Sequence, residues 1–186
     1  DAAGIYKFDP VSKKVLPEPV IKLNGFDTNA TPEFDSKSRR LLGVHLATER
    51  QFSYWFDDDL DRLQRSIDKS LPPDRVNRLH CGRCESARYF VVQSYSDRHP
   101  SEYFLFDRSR NSLSRIGAAL PWLDEKTQGR RSFHRYAARD GLSIPIYVTH
   151  AADRQTDEPL PTVVLVRGGP WVRGTDLNWH AQAQFL

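Results

Sequence analysis

The chain has 186 residues, 39% hydrophobic and 27% charged, with 4 Trp, 7 Tyr and 10 Phe, a globular composition for one domain or parts of two. No apolar run approaches the roughly 18 residues that span a bilayer, so no transmembrane helix and no membrane partner are expected. The net charge of +3 comes from 27 basic and 24 acidic residues intermixed along the chain. Arg39-Arg40 and Arg130-Arg131 are short isolated pairs rather than a basic stripe, so no nucleic-acid partner is expected. The start, Asp1-Ala2-Ala3-Gly4, has neither a basic nor an apolar region, and the chain contains no Met. It is therefore read as an excised or partial product, and its compartment is left open.

The first pattern is a repeat. "IYKFDPVSKKVLPEPV" (5–20) aligns with "YFLFDRSRNSLSRIG" (103–117): an apolar strand ending in Phe-Asp, a polar turn, then a second strand. "YWFDDDL" (54–60) supplies the same step between them, so that Asp9, Asp57 and Asp107 are spaced by 48 and 50 residues. A second register, "SRRLLGVHL" (38–46) against "SARYFVVQS" (86–94), has the same period. Short strands at a period of 40–50 residues predict four-stranded antiparallel propeller blades, about two of them over residues 1–125. A twisted four-stranded sheet cannot cover its own faces, and radial stacking does so.

One segment departs from strand periodicity. Leu60, Leu63, Ile67 and Leu71 fall at helical spacing, acidic residues fill the first turn, and Pro72-Pro73 closes the segment. An amphipathic helix near 57–71 is predicted, inserted between blade strands. Asp57-Asp58-Asp59 lacks the glycine and distal Glu of an EF-hand, so the carboxylates are read as helix-start residues and not as a metal site. Cys81 and Cys84 in "HCGRC" form a lone C-x-x-C. Two buried or turn cysteines are favoured over a local disulfide, and both over metal or redox chemistry.

After residue 125 the rhythm changes. "RSFHRYAARDGLSIPIYVTHAA" predicts a hairpin turning at Arg139-Asp140-Gly141. A polar spacer leads to a buried strand at 162–166, which ends in Arg167-Gly168-Gly169-Pro170. "AQAQFL" then looks like the opening of a helix. Hairpin, strand, glycine turn and helix in this order suggest the entrance to an α/β-hydrolase domain, over residues 126–186. In that architecture a glycine loop after the third strand supplies a backbone N–H to the oxyanion hole.

The order of propeller-like repeats, "ARDGLSIPIYVT", "PTVVLVRGGPWVRG" and "WHAQAQFL" resembles the prolyl oligopeptidase family of serine peptidases, nearest its acylaminoacyl-peptidase and dipeptidyl-peptidase-like members. The resemblance covers the chain loosely and residues 135–186 tightly. It implies a β-propeller joined to an α/β-hydrolase domain, acyl transfer by a Ser-Asp-His triad, short peptides as substrates, and no cofactor. It assigns Gly168 and Gly169 to the oxyanion loop, with Arg167 and Trp171 beside the substrate. The family motif is His-Gly-Gly-Pro, so Arg167 is a departure that puts the histidine's orienting role in doubt. Arg173 and Trp179 also fall where the family carries such residues.

The G-x-S-x-G nucleophile motif is absent. "GLSIP" (141–145) lacks the second glycine, which makes Ser143 a decoy. His45, His80, His99, His134, His150 and His180 all precede the place of the family histidine. The chain is thus expected to hold part of an active site without its triad, to be inactive alone, and to self-associate through unpaired strand edges. The alternative is a non-catalytic, propeller-derived protein-binding module.

Overall fold

In the computed structural model, residues 3–154, 159–166, 168–169 and 176–186 are described. They form a mainly β structure of antiparallel sheets. A first hairpin pairs β1 (Gly4–Asp9) with β2 (Lys14–Lys22). A three-stranded sheet has the order β3 (Ala30–Phe34), β4 (Leu41–Ala47), β5 (Gln51–Trp55). After helix α1 (Asp58–Ser70) comes a four-stranded meander: β6 (Val76–His80), β7 (Tyr89–Tyr95), β8 (Glu102–Asp107) and β9 (Ser112–Ala118). A last hairpin joins β10 (Arg130–Ala137) to β11 (Ser143–His150), and a short helix α2 covers Ala181–Phe185. No helix among the described residues is long and apolar enough to cross a membrane.

The Phe-Asp repeat has a physical basis in the backbone donors just after it. Asp9 accepts from the N–H groups of Val11 and Ser12, and Asp107 from those of Ser109 and Arg110. Each carboxylate thereby closes the turn that sends its strand back as a hairpin. Asp35 does the same for Lys37 and Ser38, a fourth copy of the step that the sequence period does not register. At Asp57 the same side chain accepts from Asp59 and Leu60 but caps α1 instead. The next few residues decide between the two outcomes. Asp58-Asp59-Leu60-Asp61 suits a helix start, whereas Ser-Arg-Asn suits a turn. The expected four-strand unit is accordingly realised once, in β6–β9; the middle sheet has three strands because its chain turns into a helix where a fourth would begin.

The core lies where α1 meets the sheets. Leu60, Leu63 and Ile67 are buried against Leu42, Trp55, Leu79, Phe90, Val92 and Phe106, with Leu71 packed at the margin. Gln64 is the polar member of this face and is fully used. Its Oε1 accepts from Trp55 Nε1 at 3.3 Å, and its Nε2 donates to the Asn77 carbonyl at 2.8 Å. The helix is thus tied to β5 and β6 by hydrogen bonds as well as by burial. By contrast, the first hairpin leaves Tyr6, Phe8, Val11 and Val15 exposed.

The cysteines correct an expectation. Cys81 and Cys84 form a disulfide, with Cα atoms 5.1 Å apart, rather than two independent turn cysteines. The three-residue step and the tight turn between β6 and β7 bring the two Cβ atoms together, which composition alone does not reveal.

Candidate functional site

The segment leading to the diglycine is also a correction. Residues 162–166 were expected to form a buried strand, yet they join no sheet, and Val163 and Val166 are 61% and 92% exposed. A strand is held by neighbours that satisfy its N–H and C=O groups, and among the described residues none lies beside this one. Gly168 has φ +102°, a conformation open to glycine and strained for other residues. Gly169 differs: its φ is not in the left-handed region, and a Cβ built on it would meet no atom within 4 Å. Neither its conformation nor its neighbours call for a glycine. Arg167, Trp171 and Arg173 lie outside the described residues.

Gly169 lines a broad cleft of about 2620 Å³. Its lining includes His45, Gln51 and Arg78 from the sheets, Tyr147 and Val148 of β11, and Val163–Val166. The cleft keeps its shape because the C-terminal segment is fastened to two turns. Leu177 N donates to the Glu49 carbonyl and Trp179 N to that of Ser96, at 3.1 and 2.8 Å. Those acceptors sit in the β4–β5 and β7–β8 turns, within "ATERQ" (47–51) and "YSDRHPS" (95–101), which follow the two matched segments of the second repeat register. Gln184 adds a clamp: its Oε1 accepts from Gly129 N at 2.7 Å, while its Nε2 donates to the Asp97 and Gly129 carbonyls. Trp179 Nε1 donates to Gln128 Oε1, so this tryptophan packs the segment in place.

At one side Gln51 bridges the parts, donating to Asp176 and accepting from the Tyr95 hydroxyl, both at 2.8 Å. Burial, with Asp176 nearby, pushes the Tyr95 phenol up to about 12, so it stays a donor throughout the physiological range.

Sequence reasoning missed two features at or behind the cleft lining. Arg78 is half-buried, and its Nε is buried without a hydrogen-bond partner among the described residues. Its signal, a single Arg in an otherwise alternating strand, does not separate it from a surface arginine. The second feature is a Ser-His-Glu array. His45 Nδ1 lies 2.9 Å from Ser53 Oγ, and Nε2 lies 3.4 Å from Glu33 Oε2. These three are cross-strand neighbours in β3–β5, which a search for linear motifs does not register. The array is a poor catalytic site. Burial, followed by the charges of Arg78 and His80, pushes His45 down to about 4, far below a useful base at neutral pH. Nor does Ser53 line the cleft. Ser143 is exposed at the start of β11, where it pairs with Ala137, and it contributes to no such array.

Fold and site together define a mainly β chain with a wide cleft between its sheets and its C-terminal segment. The sequence is similar to dipeptidyl aminopeptidase BIII of Pseudoxanthomonas mexicana, with 35% identity over 121 residues. The aligned stretch is 62% of this chain and 16% of that protein, so the chain spans only a small part of its relative. This similarity relates the chain to a peptidase. No family model matches the sequence, and no solved structure matches it.

Proposed function

We propose that the chain is part of a serine peptidase of the prolyl oligopeptidase type, comprising the end of a β-propeller (1–125) and the start of an α/β-hydrolase domain (126–186). In this assignment Gly168 and Gly169 hold backbone N–H groups toward the oxygen of a peptide carbonyl under attack. The serine, histidine and aspartate of the triad come from residues other than these 186. Serine Oγ adds to the carbonyl carbon, histidine takes its proton, and negative charge collects on the oxygen facing the loop. Donors fixed at that point lower the barrier by roughly 3–4 kcal/mol.

The observation that carries the assignment is Gly169. The residue lines the cleft, and among the described residues no atom lies within 4 Å of where a Cβ would stand, which leaves room for a substrate beside the backbone. Arg78 lines the same cleft, and its guanidinium charge suits a peptide carbonyl or carboxylate. The peptidase named above supports the same substrate class. The test is the longer natural protein that contains this sequence. It should hydrolyse a chromogenic dipeptide amide and be inactivated by a serine-directed fluorophosphonate, with Ser143→Ala unaffected. No hydrolysis and no labelling would leave the non-catalytic binding module as the better reading.

A further inference from the structure

We propose that Cys81 and Cys84 form a redox-active disulfide, with Glu33 as its proton relay, that exchanges with small thiols. The inference rests on three features of one small region and is independent of the peptidase assignment.

The two sulfurs are unequal. Cys84 is completely buried within the core cluster, whereas Cys81 is partly accessible in the turn after β6, next to exposed Gly82 and Arg83. An incoming thiolate can therefore reach only one sulfur. A carboxylate waits beside the other: Glu33 Oε1 lies 3.8 Å from Cys84 Sγ, while Oε2 faces His45. Burial raises the Glu33 carboxyl above its ordinary value, with the charges of Arg78 and His80 pulling the other way. The groups facing it are thus His45 from β4, Arg78 and His80 from β6, and the buried sulfur. The turn is also seated firmly. Ser36 N donates to the Gly82 carbonyl, and Glu85 N to Asp35. Asp35 and Glu33 belong to the same short segment, so the relay keeps its distance from the sulfur.

The exchange conserves atoms and electrons at each step. A small thiolate attacks Cys81 Sγ, forming a mixed disulfide and breaking the Cys81–Cys84 bond. The pair of electrons leaves on Cys84 Sγ, and the proton released by the first small thiol reaches that thiolate through the Glu33 carboxylate. A second thiolate attacks the small-molecule sulfur of the mixed disulfide, releasing Cys81 and a small-molecule disulfide. The proton released by the second small thiol goes to Cys81, and Glu33 ends as it began. Two thiols are oxidised, and one protein disulfide is reduced to a dithiol. A buried leaving thiolate with no proton donor would be a poor leaving group, and Glu33 removes that obstacle.

The experiment places the folded protein in buffers of reduced and oxidised glutathione, with thiols trapped by alkylation and located by mass spectrometry. The reduced wild type, pulsed briefly with iodoacetamide, should carry the label on Cys81 about tenfold faster than on Cys84, a result that needs no variant. Cys84→Ser should form a glutathione mixed disulfide at Cys81, and Cys81→Ser should form one at Cys84 at least about tenfold more slowly. Glu33→Gln should keep the disulfide but slow its reduction at neutral pH by about tenfold or more. Three results would overturn the proposal: equal labelling of the two cysteines, wild-type reduction in Glu33→Gln, or stoichiometric zinc uptake by the reduced pair, which would make it a metal site with Glu33.

Discussion

Lowering the pH should destabilise the fold through one residue, His45. Its ring is 8% exposed and held between Ser53 and Glu33, and its pKa falls from 6.5 to about 4. The folded chain therefore binds a proton less readily than the unfolded chain between these values. Stability is full above pH 6.5 and is lost as the pH falls toward 4. At pH 5 the unfolded imidazole is almost wholly protonated and the folded one mostly neutral, a difference of roughly 2 kcal/mol. Glu33 works against this trend, because its raised pKa makes the folded state bind a proton more readily than the unfolded one. Glu33→Gln removes that opposing titration while its amide oxygen can still accept from Nε2. Urea unfolding of Glu33→Gln at pH 7 and pH 5 should show a loss of roughly 2 kcal/mol, and adding His45→Gln should abolish most of it. Equal stability at the two pH values in Glu33→Gln, or the same slope without His45, would refute the reasoning.

Other parts of the fold give further expected outcomes. Asp57→Ala removes the cap of α1 and one of the two carboxylate partners of Arg40, and should cost about 1–2 kcal/mol by thermal melting. Ile67→Ala opens a cavity at a position 1% exposed and should cost about 2–5 kcal/mol in the same assay. Gln184→Ala should release the C-terminal segment from Asp97 and Gly129, seen as faster amide exchange at Gly129 with the β6–β9 amides unchanged. Light scattering at micromolar concentration should find the 186-residue chain self-associated through exposed apolar segments such as Val163–Val166; a clean monomer would contradict this.

The sequence was most legible where a local signal and its physical cause coincide. Leu60, Leu63 and Ile67 repeat at helical spacing behind an aspartate cap, and α1 begins and ends within a residue or so of the predicted bounds. The Asp-Gly turn gives the β10–β11 hairpin, with Gly141 at φ +84°. The strand β3 was illegible because it contains Pro32, which an interior strand would reject; it lies on the edge of its sheet, where proline is tolerated. The run at 162–166 reads as a strand for a sound reason, its β-branched residues, but strand formation depends on neighbours that sequence does not display. The same limit explains the Glu33-His45-Ser53 array and the Glu33–Cys84 approach. These residues lie on different strands and turns, brought together by register, and no linear motif records them. The diglycine was legible as a motif, whereas the open space around Gly169 required the fold.

The most direct measurement of the peptidase assignment is Gly169→Ala in the longer natural protein, with activity and stability read side by side. A methyl group there meets no atom of the described residues within 4 Å, so thermal stability should stay within about 0.5 kcal/mol of wild type. If this loop receives the oxyanion, the added methyl leaves the amide donor in place but crowds the bound carbonyl, and kcat/KM for a dipeptide amide should fall about a hundredfold through misplacement of the reacting group. Undiminished turnover by a stable Gly169→Ala protein would contradict the account.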